Sequence, residues 1–129
     1  MLKSKLRKKI LKAREKFNIK NIQIDFNQII KILKKEKISK RIIGGYYPVN
    51  FELDDLSLLR KFEKNRFIIS LPVIKNNFKM DFYKWSFSDL LKGNKYGIPE
   101  PETKSIVYPN ILLVPLVAFD KNLNRLGYG

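Results

Sequence analysis

The chain has 129 residues, 44% of them apolar, and a formal net charge of +15 at pH 7; this length makes one domain with a core of its own. It contains neither cysteine nor histidine, which excludes disulfides, thiolate metal sites, zinc hydrolysis and serine–histidine–aspartate chemistry, and points to a reducing compartment such as the cytoplasm. No apolar stretch approaches the roughly 20 residues of a membrane helix, and the basic N-terminus lacks the apolar segment of a signal peptide.

Leu2, Leu6, Ile10, Ala13 and Phe17 recur at helical spacing and predict an amphipathic helix whose apolar stripe packs on the domain. Lys3, Arg7 and Arg14 border that stripe, within about 40° of one another at ~100° per residue. Such a row either faces an anionic ligand or carries the generic charges of a solvated helix. Residues 25–35 predict a second helix, with Ile29, Ile30 and Leu33 inward. Residues 41–47 read as a strand with a Gly44-Gly45 pair where a ligand or backbone comes close, and Pro48 ends it. Asp54 and Asp55 open a third helix with the stripe Leu56, Leu59 and Phe62, since negative charge suits a helix N-terminus.

Beyond that helix, 66–71 is a short apolar strand stopped by Pro72. Phe78, Met80 and Phe82 alternate with polar residues and predict a strand with one buried face. Residues 89–92 read as a helical turn and 95–101 as a glycine/proline loop, while 111–119 is a continuous apolar run of the fully buried strand type. Helices alternating with short strands indicate an α/β fold, layered α/β/α around a mostly parallel sheet over the single domain 1–129. Ligands collect at the carboxyl ends of parallel strands, so 46–54, 97–101 and 120–129 are the expected site. In the last of these, Arg125, Gly127 and Gly129 follow an apolar strand, the pattern of a phosphate cradle in which glycine lets backbone N–H groups approach an anion. The lysines, 21 of the 27 basic residues, are spread along the whole chain, which argues for a solvated surface and against a nucleic-acid reader.

Several motifs occur in a fixed order: Lys3-Ser4-Lys5-Leu6-Arg7, Tyr46-Tyr47-Pro48, Glu52-Leu53-Asp54, Leu71-Pro72-Val73, Tyr96-Gly97-Ile98-Pro99-Glu100-Pro101, Val114-Pro115-Leu116-Val117-Ala118-Phe119-Asp120 and Arg125-Leu126-Gly127-Tyr128-Gly129. Together they resemble the 5-formyltetrahydrofolate cyclo-ligase family, also called methenyltetrahydrofolate synthetases. The resemblance implies conversion of 5-formyltetrahydrofolate and ATP to 5,10-methenyltetrahydrofolate, ADP and phosphate, with magnesium. It assigns Lys3, Arg7 and Arg125 to the triphosphate, with backbone approach at Gly127 and Gly129. It assigns Glu52 to the pterin, and Tyr47, Met80 and Trp85 to the substrate slot, where Phe82 is equally a core residue and Glu100 a weaker candidate. No protein ligand for a metal is assigned, and the basic surface would attract polyglutamylated folates. Family members continue past the point that matches Gly129 with more glycines, a Tyr-Tyr-Asp-Arg stretch and further helix and strand. The resemblance therefore implies a domain truncated at its C-terminus, and two alternatives stand beside the enzyme: a non-catalytic folate- or nucleotide-binding remnant of that fold, and a basic nucleic-acid-binding module.

Overall fold

The structure, a computed structural model, describes residues 2–17 and 22–128. Three helices are found among them: α1 (Leu2–Lys16), α2 (Phe26–Lys35) and α3 (Leu56–Lys64). The strands are β1 (Ile42–Gly44), β2 (Ile68–Ile74), β3 (Met80–Trp85), β4 (Leu91–Gly93), β5 (Pro99–Pro101), β6 (Ile106–Val107), β7 (Ile111–Leu112), β8 (Ala118–Phe119) and β9 (Arg125–Leu126). The α/β class and the central sheet agree with the sequence. That sheet has the order β6-β3-β2-β1-β7. Its β7-β1-β2 portion is parallel, with Ile43 opposite both Ile111 and Ile69. Parallel strands need a crossover of a dozen or more residues, and α3 with its flanking loops supplies it between β1 and β2. The hairpin strand β3 and the short β6 extend the sheet in antiparallel pairing, with Pro72 opposite Phe82. Two ribbons, β4–β5 and β8–β9, stand outside it.

α2 and α3 form where the sequence predicts them, with the predicted apolar stripes inward. Asp25 caps α2, its carboxylate accepting the N–H groups of Asn27 and Gln28, which satisfies donors a helix start leaves unpaired. Before α3, Asp54 accepts the Leu56 N–H at 2.8 Å, while the cap residue Asp55 turns its carboxylate to the Tyr46 N–H instead of to its own helix. The stripes of both helices meet one face of the sheet, where Leu33, Leu58, Leu59 and Phe62 pack with Ile43, Ile69, Leu71 and Trp85.

Four expectations need correction. β2 runs through Pro72 to Ile74; its pairing with β1 ends at Ser70, so on that side the missing proline N–H interrupts no ladder. The buried face of β3 carries Tyr83 and Trp85, while Phe78 and Met80 are exposed; both faces of this segment are apolar, and Asn77 and Phe78 belong to a left-handed turn before the strand. Residues 91–93 are strand β4, not a helical turn, and pair with β5. The run 111–119 is split into β7 and β8 around Pro115, leaving Leu112, Val114 and Phe119 exposed.

The N-terminal helix also docks differently from its pattern. Leu2 is 82% exposed and Phe17 64% exposed, whereas Arg7, Ile10, Leu11 and Arg14 are half-buried. Arginine hydrogen bonds, more than the apolar stripe, hold α1 to the domain. No helix among the described residues is long and apolar enough to cross a membrane.

Candidate active site at the carboxyl ends of the parallel strands

The chain leaves β1 through Gly45. A Cβ there would lie 2.6 Å from Leu59 Cδ1 and 2.8 Å from Asp55 Oδ2, so only glycine lets the first turn of α3 close onto the strand. The Gly44-Gly45 close approach predicted from sequence is therefore made by α3 on one face. On the other face, Phe82 and Leu112 crowd Gly44. The loop that follows is tied down along its length. The Tyr46 N–H donates to Asp55 Oδ2 at 3.0 Å, and the Tyr46 hydroxyl donates to the Leu53 carbonyl at 2.5 Å. The turn at its tip has Asn50 (φ 48°) and Phe51 (φ 61°) in the left-handed region. Glu52 closes that turn twice, its N–H donating to Val49 O and its carboxylate accepting the Val49 N–H at 2.8 Å.

Burial shapes the acids and phenols here. Asp55 is fully buried with one carboxylate oxygen unpartnered. Desolvation pushes its pKa up to about 7, against the opposing Tyr46 N–H and with help from the charges of Asp54 and Glu52. Glu52 is raised by burial and pulled back by the Val49 N–H and the Arg14 charge. Burial and then the Asp55 charge hold the Tyr46 phenol far above its ordinary range.

A pH dependence follows for Asp55. Its folded pKa lies above its ordinary 3.8, so the native state keeps a proton that the unfolded chain has released. The stabilisation is full below about pH 4 and is lost as pH rises through 7, with a slope of at most about 1.4 kcal/mol per pH unit. Urea midpoints should fall between pH 5 and pH 8, and Asp55→Asn should flatten that decline. An unchanged slope in Asp55→Asn would place the titration elsewhere.

The second loop lies between β8 and β9. Asp120 organises it, accepting the N–H groups of Asn122 and Asn124 at 2.9 Å and the Asn124 side-chain amide at 3.0 Å. These hydrogen bonds hold its carboxyl below the usual range. Arg7 reaches this hairpin, its Nε donating to the Gly127 carbonyl at 2.8 Å. Lys3 lies one helical turn before Arg7, on the same side of α1. A Cβ on Gly127 would meet nothing within 4 Å, so the space over its backbone is open.

Arg14, two turns along α1, joins the two loops. Its Nη1 donates to the Phe51 carbonyl and the Tyr128 hydroxyl, and its Nη2 to the carbonyls of Leu116 and Val117. Beside it lies a cavity of about 300 Å³ walled by Tyr46, Leu53, Leu112 and Pro115. An open groove of about 480 Å³ between Lys8, Lys12, Phe51 and Tyr128 flanks it. A further cavity of about 420 Å³ sits at the opposite end of the sheet, between α2 and the residues preceding β1 and β2.

Of the residues assigned to the triphosphate, Arg125 and Gly127 belong to the β8–β9 hairpin and Arg7 touches it, while Lys3 lies exposed on α1 one turn before Arg7. Glu52 and Tyr47 lie on the loop that Arg14 links to that hairpin. Gly129 lies outside the described residues. Met80 starts β3, opposite Ile74 at the carboxyl end of β2, on the same face as Phe82 and Gly44. Trp85 does not join them. It pairs with Ile69, five residues and about 17 Å further along the strand, and faces the core, its ring packed at a tilt against Phe87 with centroids 4.4 Å apart. Glu100 is buried, accepting the Ile74 N–H and the Asn94 amide, and so ties the β4–β5 ribbon to β2. The expected meeting of all three loops is therefore between 46–54 and 120–128, with 97–101 at the end of β2. Sequence reasoning placed Arg14 in the cationic row without a role. It passed over Tyr128 and the buried carboxylate of Asp55, whose signal was only a second acid beside Asp54.

A family model described as the 5-formyltetrahydrofolate cyclo-ligase family matches residues 1–129. The NMR structure of 5,10-methenyltetrahydrofolate synthetase from Aquifex aeolicus is 32% identical to this chain, with a TM-score of 0.76, and the match covers 100% of this chain and 68% of that one. A 5,10-methenyltetrahydrofolate synthetase from Mycoplasma pneumoniae shares the fold at 21% identity and a TM-score of 0.70, over 100% of this chain and 73% of that one. No curated protein gives a significant match. Fold, ordered motifs and the match along the full 129 residues lead to one conclusion: the chain belongs to the 5-formyltetrahydrofolate cyclo-ligase family.

Proposed function

We propose that this protein converts 5-formyltetrahydrofolate to 5,10-methenyltetrahydrofolate with ATP as co-substrate. The observation that carries the reading is the contact of α1 with the 120–128 hairpin through Arg7 and Gly127, beside the loop holding Glu52. A nucleotide and a folate would share one end of the sheet. The chemistry needs little more than placement. An N-formyl group is an amide, a poor electrophile with a poor leaving group. Transfer of the γ-phosphoryl forms an O–P bond at the formyl oxygen and releases ADP. The neighbouring folate nitrogen then attacks the formyl carbon. The C–O bond breaks, its electrons leave with phosphate, and the nitrogen's proton is released. Catalysis is positioning plus stabilisation of phosphate charge, which the absence of histidine and cysteine does not hinder.

In this reading Lys3, Arg7 and Arg125 neutralise the triphosphate, and the open backbone at Gly127 approaches it. Glu52, held in a fixed turn, accepts hydrogen bonds from the pterin's N–H donors, with Tyr47 and Met80 beside the ring. No cluster of three potential metal ligands occurs among the described residues. Magnesium would enter with the nucleotide, coordinated by its phosphates. Near-ultraviolet absorbance of the conjugated methenyl product is the direct test. It should grow only when ATP and magnesium are both present. Growth without ATP would refute the reading, and binding of both ligands with no turnover would favour a non-catalytic binding protein.

A further inference from the structure

We propose that Arg14 is a positioning residue that locks the loop carrying Glu52 to the hairpin carrying Arg125 and Gly127, so that folate and nucleotide subsites are set together. The inference rests on the function proposed above for which ligand each loop takes. The locking itself rests on geometry alone. One planar guanidinium serves four acceptors from three segments that lie 37 to 114 positions away in the chain. Two are consecutive carbonyls, Leu116 at 2.9 Å and Val117 at 2.6 Å, just before β8. The Val117 N–H in turn donates to the Leu126 carbonyl, which passes the constraint across the hairpin to β9. A third acceptor, the Tyr128 hydroxyl at 3.0 Å, lies beyond Gly127 on the same hairpin.

The fourth acceptor lies on the other loop. Phe51 holds a left-handed backbone (φ 61°), a conformation that persists for a bulky residue only where its surroundings enforce it. Arg14 donates to the Phe51 carbonyl at 3.3 Å, next to Glu52, whose carboxylate also feels the Arg14 charge. Lysine would keep that charge but not the flat, multiply donating fork, so the two residues are not interchangeable here.

Arg14→Lys separates fork from charge. Amide hydrogen exchange should quicken in both 49–53 and 117–128, while the core amides of Ile43, Ile69 and Leu71 keep their protection. Titration calorimetry with a non-hydrolysable ATP analogue and with 5-formyltetrahydrofolate should show both affinities falling by roughly 5- to 50-fold, although Arg14 belongs to neither set of assigned ligand contacts. Tyr128→Phe, which removes one acceptor and keeps the ring, should move both readouts in the same direction by a smaller factor, and it carries the test if Arg14→Lys fails to fold. Quickened exchange on one side only, or loss of affinity for one ligand only, overturns the locking role. If the unsubstituted protein binds neither ligand, the functional reading falls, while the exchange measurement still decides whether Arg14 joins the loops.

Discussion

Phe62→Ala should destabilise the protein by about 3–5 kcal/mol, the cost of opening a large cavity in a packed core. Phe62 is 0% exposed. Its ring meets Phe26 of α2 edge-on at 4.9 Å and Phe67, just before β2, at 4.8 Å. One side chain therefore joins both helices of the layer to the first strand after the crossover. Each aromatic pair adds roughly 0.5–1.5 kcal/mol beyond burial, and small domains hold only about 5–15 kcal/mol in total. Urea unfolding monitored by circular dichroism should show the midpoint collapsing for alanine and falling much less for Phe62→Leu, which refills part of the volume. A loss under about 1 kcal/mol for alanine would mean that the junction repacks and that the core is held elsewhere.

The two binding loops should separate by substitution. If Arg125 pairs with the triphosphate as proposed, Arg125→Ala removes charge-assisted hydrogen bonds worth roughly 1.5–3 kcal/mol each. ATP use should weaken by on the order of 10- to 100-fold, with folate affinity nearly intact. Glu52→Gln keeps the size, and its remaining oxygen can still accept the Val49 N–H. Its new amide N–H₂ would face the pterin's own donors, so folate should be weakened more than nucleotide. Calorimetric titration of each variant with each ligand decides. Equal losses of both ligands in both variants would sink this site map even with the family assignment standing. The predicted response of Arg14→Lys, which affects both ligands, is a useful contrast.

How much of this was legible in the residues varies by element. α2 and α3 could be read because apolar spacing was clear in both and acids stood at the start of α3, and their stripes are the ones buried. β3 was misread because Phe78, Met80 and Phe82 alternate as cleanly as Tyr83 and Trp85, and a period of two marks two faces without saying which is inside. Trp85 was placed in the substrate slot by the resemblance, with a core position as the alternative, and the sheet turns it to the core. α1 shows the limit of periodicity in another way: the stripe was real, but arginine hydrogen bonds decided which side docks. Arg14 was hardest to foresee, since three of its four acceptors are main-chain carbonyls, which any residue can supply. The segment carrying Arg125 and Gly127 and the segment carrying Glu52 were singled out by ordered motifs, and the link between them through Arg14 came only with the fold.

The sheet face opposite α2 and α3 has a colloidal consequence. Ile68, Ile74, Met80 and Leu112 are all exposed, on a chain with a net charge of +15. Two such molecules repel at long range and attract only when these greasy faces touch. In dilute buffer the repulsion reaches tens of ångströms and keeps them apart. At physiological ionic strength it is cut to about 8 Å, close to contact, and the balance tips toward sticking. Raising salt should therefore favour self-association of this lysine-rich protein, seen as a rising apparent mass in light scattering, and an apparent mass unchanged by salt would refute that.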